Sequence, residues 1–340
     1  MNVLVTGGAG YIGSHTVLSL LTEGYQVIVY DNLCNASEQS LKRVEALTGK
    51  TVTFIQGDVN DKTLLSSTFK QHKIDSVIHF AALKAVGESS QIPLQYFQNN
   101  VSGSLSLLEI MAENQIEKFI FSSSATVYGE ENQAPYVESY KLGSPSSPYG
   151  ATKVMVERIM NDFAIAMPSF KGVSLRYFNP IGAHESGQIG EDPKGIPNNL
   201  LPFVAQVAVG KREKLTIFGD DYPTHDGSCL RDYLHVMDLA EGHVAALQWL
   251  NNNPDFYGVE AFNLGTGTGT SVFEIVSAFE KATDITIPFE VSPRRAGDLP
   301  AFWADASKAN KALHWQAKRD LTTMMKDTWR WQSANPNGYE

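Results

Sequence analysis

The stretch Asn2-Val3-Leu4-Val5-Thr6-Gly7-Gly8-Ala9-Gly10-Tyr11-Ile12-Gly13 decides the fold. Its first five residues are mostly apolar or β-branched and read as a strand buried on both faces. The glycines that follow satisfy GxGxxG through Gly8, Gly10 and Gly13, and GxxGxxG through Gly7, Gly10 and Gly13. Glycine permits the tight turn there and lets a pyrophosphate approach the backbone. Ile12–Gly24 then reads as a helix, whose N-terminus offers free N–H groups and a partial positive charge to phosphates. A glycine pattern alone is weak evidence. Here a strand precedes it, a helix follows it, and an acid ends the second strand. That acid is Asp31, 18 residues beyond Gly13. Its carboxylate suits the adenosine ribose hydroxyls and repels a 2′-phosphate. No arginine follows in Asn32-Leu33-Cys34, so the expected cofactor is NAD, not NADP. Asp58 ends the third strand, either beneath an adenine or as a cap for the next helix.

Working outward, Asn2–Thr6, Gln26–Asp31, Thr51–Asp58, Ser76–Ala82 and Lys118–Ser124 read as parallel strands. Ile12–Gly24, Asp61–His72 and Asn99–Gln115 read as helices between them, with Asn60 or Asp61 an N-cap for the second. Tyr149–Met167 is a long helix and Val173–Asn179 a sixth strand. The alternation predicts an α/β fold: a doubly wound, parallel, Rossmann-type sheet. After Asn179 the regular alternation stops. Short strands (Leu215–Phe218, Thr286–Glu290) and helices (Ser271–Thr283, Asp305–Leu313, Asp320–Ser333) imply a smaller C-terminal α/β region. The expected division is 1–179 for the cofactor and mainly 180–340 for the substrate. Tyr233–Asn252 reads as a helix that returns to the first unit.

Composition narrows the function. The 340 residues are 43% hydrophobic and 19% charged, ordinary for a globular protein. A formal charge of −10 argues against nucleic acid or an anionic membrane as partner. The only two cysteines, Cys34 and Cys229, fit a reducing, cytoplasmic compartment and give no disulfide framework or metal site. No apolar run is long enough for a transmembrane helix.

Tyr149-Gly150-Ala151-Thr152-Lys153 is a YxxxK motif at a helix start. Spacing of four puts both side chains on one face, one turn apart. A free tyrosine, with a pKa of about 10, is a poor base at neutral pH. A nearby ammonium and a cationic nicotinamide ring both favour the phenolate. Tyr149 can then take an alcohol proton while hydride leaves the same carbon. Ser124, at the end of the fifth strand, completes the set as a hydrogen-bond relay. By itself YxxxK occurs by chance in many helices; the glycine turn, Asp31 and Ser122-Ser123-Ser124 give it meaning.

These residues resemble the extended short-chain dehydrogenase/reductase family. The likeness continues through IHFAALKAVGES, FSSSATVYG, SPYGATK, LRYFNPIGAH, GIPNNLLPFVAQVAVG, IFGDDYPTHDGS, RDYLHVMDLA and PRRAGDLPAFWADASKA. Several of these lie in the C-terminal half, which narrows the resemblance to the branch that inverts C4 of UDP-hexoses. The resemblance implies interconversion of UDP-glucose and UDP-galactose, and a homodimer formed through Asn99–Gln115 and Tyr149–Met167. Carried over by position, it implies NAD contacts at Gly7, Gly10, Tyr11, Ile12, Gly13, Asp31, Asn32, Leu33, Cys34, Asn35, Ala36, Asp58, Val59, Phe80, Ala81, Ala82, Leu83, Lys84, Asn99, Ser124, Tyr149, Lys153 and Phe178. It implies UDP-sugar contacts at Ser124, Tyr149, Asn179, Asn199, Leu200, Thr216, Ile217, Phe218, Arg231, Tyr233, Arg295, Asp298 and Phe302. Arg231 and Arg295 suit a diphosphate, since guanidinium forks match phosphate oxygens. Phe302 stands where the family gates its sugar pocket. Tyrosine is the usual large residue there, and phenylalanine keeps nearly all its bulk. Related 4,6-dehydratases carry an Asp-Glu pair after the active-site hydroxyl residue; here Ala125 and Thr126 follow Ser124.

Overall fold

The computed structural model describes residues 1–195, 197, 199–295 and 297–340. Seven strands form the central sheet: β1 Asn2–Thr6, β2 Gln26–Asp31, β3 Thr53–Gln56, β4 Ser76–His79, β5 Lys118–Ser122, β6 Lys171–Tyr177 and β7 Gly258–Leu264. Their order is β7-β6-β5-β4-β1-β2-β3, and every neighbouring pair is parallel. Alternate residues of a strand face opposite sides, and the core divides accordingly. Val3, Val5, Val27 and Val29 pack with Val17, Leu20, Leu41, Leu239 and Leu247, under helices Tyr11–Thr22, Glu38–Thr48 and Val236–Asn252. Leu4, Ile28 and Tyr30 point the other way, to Leu65, Phe69, Leu107, Met111, Val156 and Met160. Those residues belong to helices Lys62–Gln71, Gly103–Glu113 and Pro148–Ala166. With apolar side chains on both faces, the sheet has no side that tolerates water, which fixes the three-layer arrangement.

The C-terminal region has its own core. Leu201 and Val204 of helix Leu200–Ala208 meet Ile275 and Phe279 of helix Val272–Thr283, and Met324 and Met325 of helix Leu321–Ala334. Leu215 and Ile217 close it from the strand Leu215–Phe218.

Several boundaries differ from the sequence reading. Asp61 is the N-cap of helix Lys62–Gln71, its carboxylate accepting from the Leu64 amide at 3.0 Å. The expected helix Asn99–Gln115 opens as a π-helical turn, Phe97–Ser102, before Gly103–Glu113. Tyr233–His235 is a strand paired in parallel with Asn179–Ile181, and the helix begins at Val236. The strand expected at Thr286–Glu290 runs instead over Phe289–Ser292, beside Leu215–Phe218. Helix Glu38–Thr48 and edge strand β7 had no expectation at all. The first is rich in charge with few buried positions, and half-buried residues in the second blur its alternation.

Candidate active site

The carboxyl ends of the parallel strands converge on one rim, where open α/β sheets bind ligands. At the end of β1 the chain turns at Gly7, with φ +71°, and enters helix Tyr11–Thr22 through Gly10. The turn leaves no room for side chains. A Cβ on Gly7 would lie 2.6 Å from the Ala81 nitrogen, and one on Gly13 only 2.2 Å from the Gly7 oxygen. No side chain caps the helix, so its first N–H groups face the rim. Asp31, 7% exposed, stands beside this cradle at the end of β2. Its oxygens accept from the Ala9 amide at 3.0 Å and the Leu33 amide at 2.9 Å. Burial holds its pKa above the ordinary value although those two bonds favour the anion. Asn32 donates to Asp58 at 2.8 Å, which links the ends of β2 and β3. Burial works against the Asp58 anion, yet bonds from Asn60 and Asn32 carry its pKa below the usual value. A tight glycine turn, free helix-terminal amides and an acid at the end of the second strand suit a dinucleotide.

Further along the rim stand Ser124, Tyr149 and Lys153, respectively 8%, 9% and 4% exposed. Ser147 caps helix Pro148–Ala166 by accepting from the Gly150 amide, and Pro148 opens its first turn. That start places Tyr149 at the mouth and Lys153 one turn below. Lys153 Nζ donates to the Ser122 carbonyl at 2.7 Å and lies 4.7 Å from the Phe121 ring centre and 5.7 Å from that of Tyr149. Burial pushes Tyr149 up to about 12, with the Ser124 hydroxyl acting in the opposite direction. Burial also brings Lys153 down to about 7, although Glu157 favours its charge. In the protein alone, burial therefore outweighs the expected lowering of the tyrosine pKa by the lysine.

On the substrate side, Arg231 lies on the short strand Leu230–Arg231, next to Ala301–Phe302. Its guanidinium donates to the Leu299 carbonyl at 2.7 Å and to Asp298 at 3.3 Å. Arg295 stacks over the Phe218 ring at 4.4 Å, mostly exposed, with Asp298 3.9 Å away. Phe302 packs edge-on against Tyr136 at 4.7 Å and tilted against Phe178 at 5.0 Å. Asn179 donates its amide to the Asp232 carbonyl at 3.0 Å.

Not every expected residue presents its side chain to the rim. Val59 is 5% exposed in the apolar core, and Ile217 is 1% exposed in the C-terminal core, so only their backbones are available. Leu200 and Thr216 are half-buried, and Asn99 is occupied by its neighbour Asn100. Asn199 donates to Glu191 at 3.2 Å.

Sequence reasoning missed the groups that tie the rim together. Buried Asn100 bonds both backbone groups of Leu83 and the Thr152 hydroxyl, pinning the loop after β4 to the Tyr149 helix. Glu191 meets Lys84 at 3.4 Å, and Lys194 donates to the Leu33 and Cys34 carbonyls at 2.9 and 3.1 Å. Tyr11 donates to the Gly182 carbonyl at 2.6 Å. Tyr11 and Lys84 were expected on the cofactor side, but single residues joined across long separations leave no periodic signal, so Asn100, Glu191 and Lys194 were not visible beforehand.

A dinucleotide cradle beside a buried Ser/Tyr/Lys set, on a seven-stranded parallel sheet, defines the extended short-chain dehydrogenase/reductase class. Comparison with known proteins agrees and goes further. Residues 4–328 match the family model described as GDP-mannose 4,6 dehydratase. A UDP-glucose 4-epimerase of Erwinia amylovora is 61% identical over 338 residues, 99% of each chain. A solved UDP-glucose 4-epimerase from Bifidobacterium longum, in complex with NAD+ and UDP, is 50% identical with a TM-score of 0.95, covering 99% of this chain and 100% of that one. Another, from Stenotrophomonas maltophila with bound NAD and formylated UDP-arabinopyranose, is 48% identical over 99% of both chains, also at TM-score 0.95. The chain belongs to the UDP-glucose 4-epimerase family.

Proposed function

We propose that the protein interconverts UDP-glucose and UDP-galactose by inverting C4 of the hexose through a transient 4-keto sugar, with NAD resident, in galactose metabolism. The observation that carries this is the buried Ser124, Tyr149 and Lys153 set beside a glycine cradle and Asp31. Bound NAD supplies the reversible acceptor for the hydrogen and electrons that leave C4. Tyr149 takes the proton of the C4 hydroxyl and later returns it, with Ser124 relaying it across the short gap. Arg231 and Arg295 hold the diphosphate of the substrate, and Asp298 orients Arg231. With UDP fixed and the hexose loosely held, the keto sugar swings about the pyrophosphate linkage and presents its other face. Returning hydrogen and proton to that face inverts C4, so the redox cycle closes with no net change in the cofactor.

A 4,6-dehydratase, the activity in the matched model's description, would also pass through a 4-keto sugar. It must then eliminate water across C5 and C6, which needs an acid and a base there. After Ser124 this chain has Ala125, 1% exposed, and Thr126, whose hydroxyl bonds Ser124 at 3.0 Å. Neither carries a carboxylate. We further assign 1–179, with 233–252 and β7, to the NAD-binding unit and most of 180–340 to the UDP-sugar region. The proposed homodimer is supported by Val86, Leu94, Leu105 and Met155, exposed apolar residues on neighbouring helices of one face. No helix among the described residues is long and apolar enough to cross a membrane, and a cytoplasmic location is part of the proposal.

The test is incubation of the purified protein with UDP-galactose and no added nucleotide. UDP-glucose is the expected product. No conversion by protein that carries bound NAD overturns the reading.

A further inference from the structure

Lys153 is an ammonium almost wholly removed from water, and the strand groups that bond or stack against it are uncharged. Strand β5 gives it the Ser122 carbonyl and the Phe121 ring. From β4 comes His79, which burial keeps neutral with a pKa of about 3. Tyr177 on β6 shares its hydroxyl with Ser122 Oγ at 2.5 Å and is held neutral by burial. Arg176, also on β6, is a cation. On its own helix Lys153 has Tyr149 one turn above and Glu157 one turn below, the i, i+4, i+8 stripe of a single face. An ammonium buried among neutral groups tends to lose its proton, and a nearby anion opposes that loss. Among the described residues, Glu157 is the anion in that position.

Glu157 is itself 2% exposed, and its carboxylate is fixed by Arg176 and Ser123. Arg176 Nη2 meets Oε2 at 2.6 Å, and Arg176 Nε donates to Oε1 at 3.0 Å. The Ser123 hydroxyl donates to Oε1 at 2.5 Å. Ser123 is covalently joined to Ser124, so this bond anchors the strand end that carries the relay hydroxyl. Arg176 in turn lies over the Tyr128 ring at 5.1 Å and also bonds the Glu138 carbonyl. The Glu157 carboxylate is thus shared between Arg176 and the Ser123 hydroxyl, one residue before the relay serine, and it stands one helical turn below Lys153.

We propose that Glu157 is a positioning residue of the C4 chemistry, holding Lys153 in its charged form and fixing the Ser123–Ser124 strand end. This rests on the reading of the site as a 4-epimerase. The lysine assists Tyr149 only while protonated, so its loss of the proton sets the alkaline limb of the rate profile. With the anion removed, that proton leaves at lower pH.

The experiment compares the pH dependence of kcat, KM and NAD content for wild type and Glu157→Gln on UDP-galactose. The expected result is an alkaline limb about one pH unit lower, with KM and NAD content nearly unchanged. Glu157→Asp, which keeps the charge, should return the limb toward its wild-type position. Because Glu157→Gln leaves a buried arginine unpaired and endangers folding, Glu157→Gln with Arg176→Gln provides a second variant without an orphan charge. It should show the same downward shift. An alkaline limb unmoved in whichever neutral variant folds overturns the inference, and so does a limb displaced equally by Glu157→Asp. A wild type that does not epimerise UDP-galactose at any pH refutes the 4-epimerase reading instead, so the two failures are distinct.

Discussion

Replacing Gly13 by alanine puts the cofactor cradle to a direct test. The added Cβ would sit 2.2 Å from the Gly7 oxygen, 2.8 Å from Gly8 Cα and 3.0 Å from the Gly7 carbonyl carbon. Comfortable contact between nonbonded carbons is about 3.5 Å, so both carbon neighbours are too close, and the Gly7 oxygen is closer still. All three neighbours are backbone atoms of the turn, and no flexible side chain can swing aside. The turn itself must open. Overpacking of this kind costs about 1–3 kcal/mol, while alanine recovers about 1 kcal/mol over glycine inside a helix. The loss of global stability is therefore modest. Cofactor binding suffers more, because the amides that face the pyrophosphate move with the turn. A hydrogen bond to a charged group contributes about 1.5–3 kcal/mol, so two lost bonds weaken NAD by on the order of a hundredfold to ten-thousandfold. The assay is nicotinamide nucleotide released per mole of protein on denaturation, alongside a thermal melt. Gly87→Ala is the control, since its Cβ would meet nothing within 4 Å. A Gly13→Ala protein that purifies with a full complement of NAD refutes the reasoning.

Tyr149→Phe is expected to lower turnover by at least about a hundredfold with most NAD retained; near-normal kcat would remove Tyr149 from the proton transfer. Phe302→Cys should raise kcat/KM for N-acetylated UDP-hexoses relative to UDP-galactose, because it frees space beside Phe178 and Tyr136; an unchanged ratio would dismiss the gate. Acid stability follows from three buried histidines. His15 and His79 titrate at about 3 and His243 at about 4, all lowered by burial from 6.5. Between those values the unfolded chain binds more protons than the folded one. Stability is therefore full above about pH 6.5 and falls as the solution is acidified, by up to about 1.4 kcal/mol per unit for each histidine. Urea midpoints measured from pH 7 to 4.5 should decline steadily, and a flat profile would contradict this account.

Much of the sheet was legible because its signals are local and repeated. Burial on both faces makes the middles of β1 and β2 apolar, and the glycine turn marks where the first gives way to a helix. Tyr149 and Lys153 were legible because helical spacing puts them on one face and the glycine turn, Asp31 and the serines ending the fifth strand give that pair meaning. The same logic failed for β7, an edge strand whose Gly258, Val259, Glu260 and Ala261 are only half-buried. It failed again at Tyr233–His235, where a three-residue strand runs straight into the helix and shares its apolar character. Ile217 was expected among the UDP-sugar contacts, and its side chain lies in the C-terminal core instead. Which alternate residues of a short strand face inward depends on what packs beneath it. Glu191, Lys194 and Asn100 act across long sequence separations, and no spacing rule connects them to their partners.

The protonation states of the site carry their own argument for a resident cofactor. Folded without ligands, the protein disfavours charge on both Tyr149 and Lys153, which stand at about 12 and about 7. Burial causes both displacements, and burial is also what keeps water from a reactive keto sugar. The site therefore needs charge supplied from within. Glu157 provides a negative charge beneath Lys153, but nothing in the described protein places a second positive charge beside Tyr149. The oxidised nicotinamide ring is cationic, and this rim is shaped to receive it. A phenolate is thus favoured when the oxidised cofactor is in place, and a phenol when the ring has lost its charge. On the proposed mechanism, proton uptake by Tyr149 and oxidation at C4 would be coupled by electrostatics, with no moving part required. A cofactor that left after each half-reaction would strand the tyrosine in its neutral form. Retaining it keeps the base ready for the next hexose.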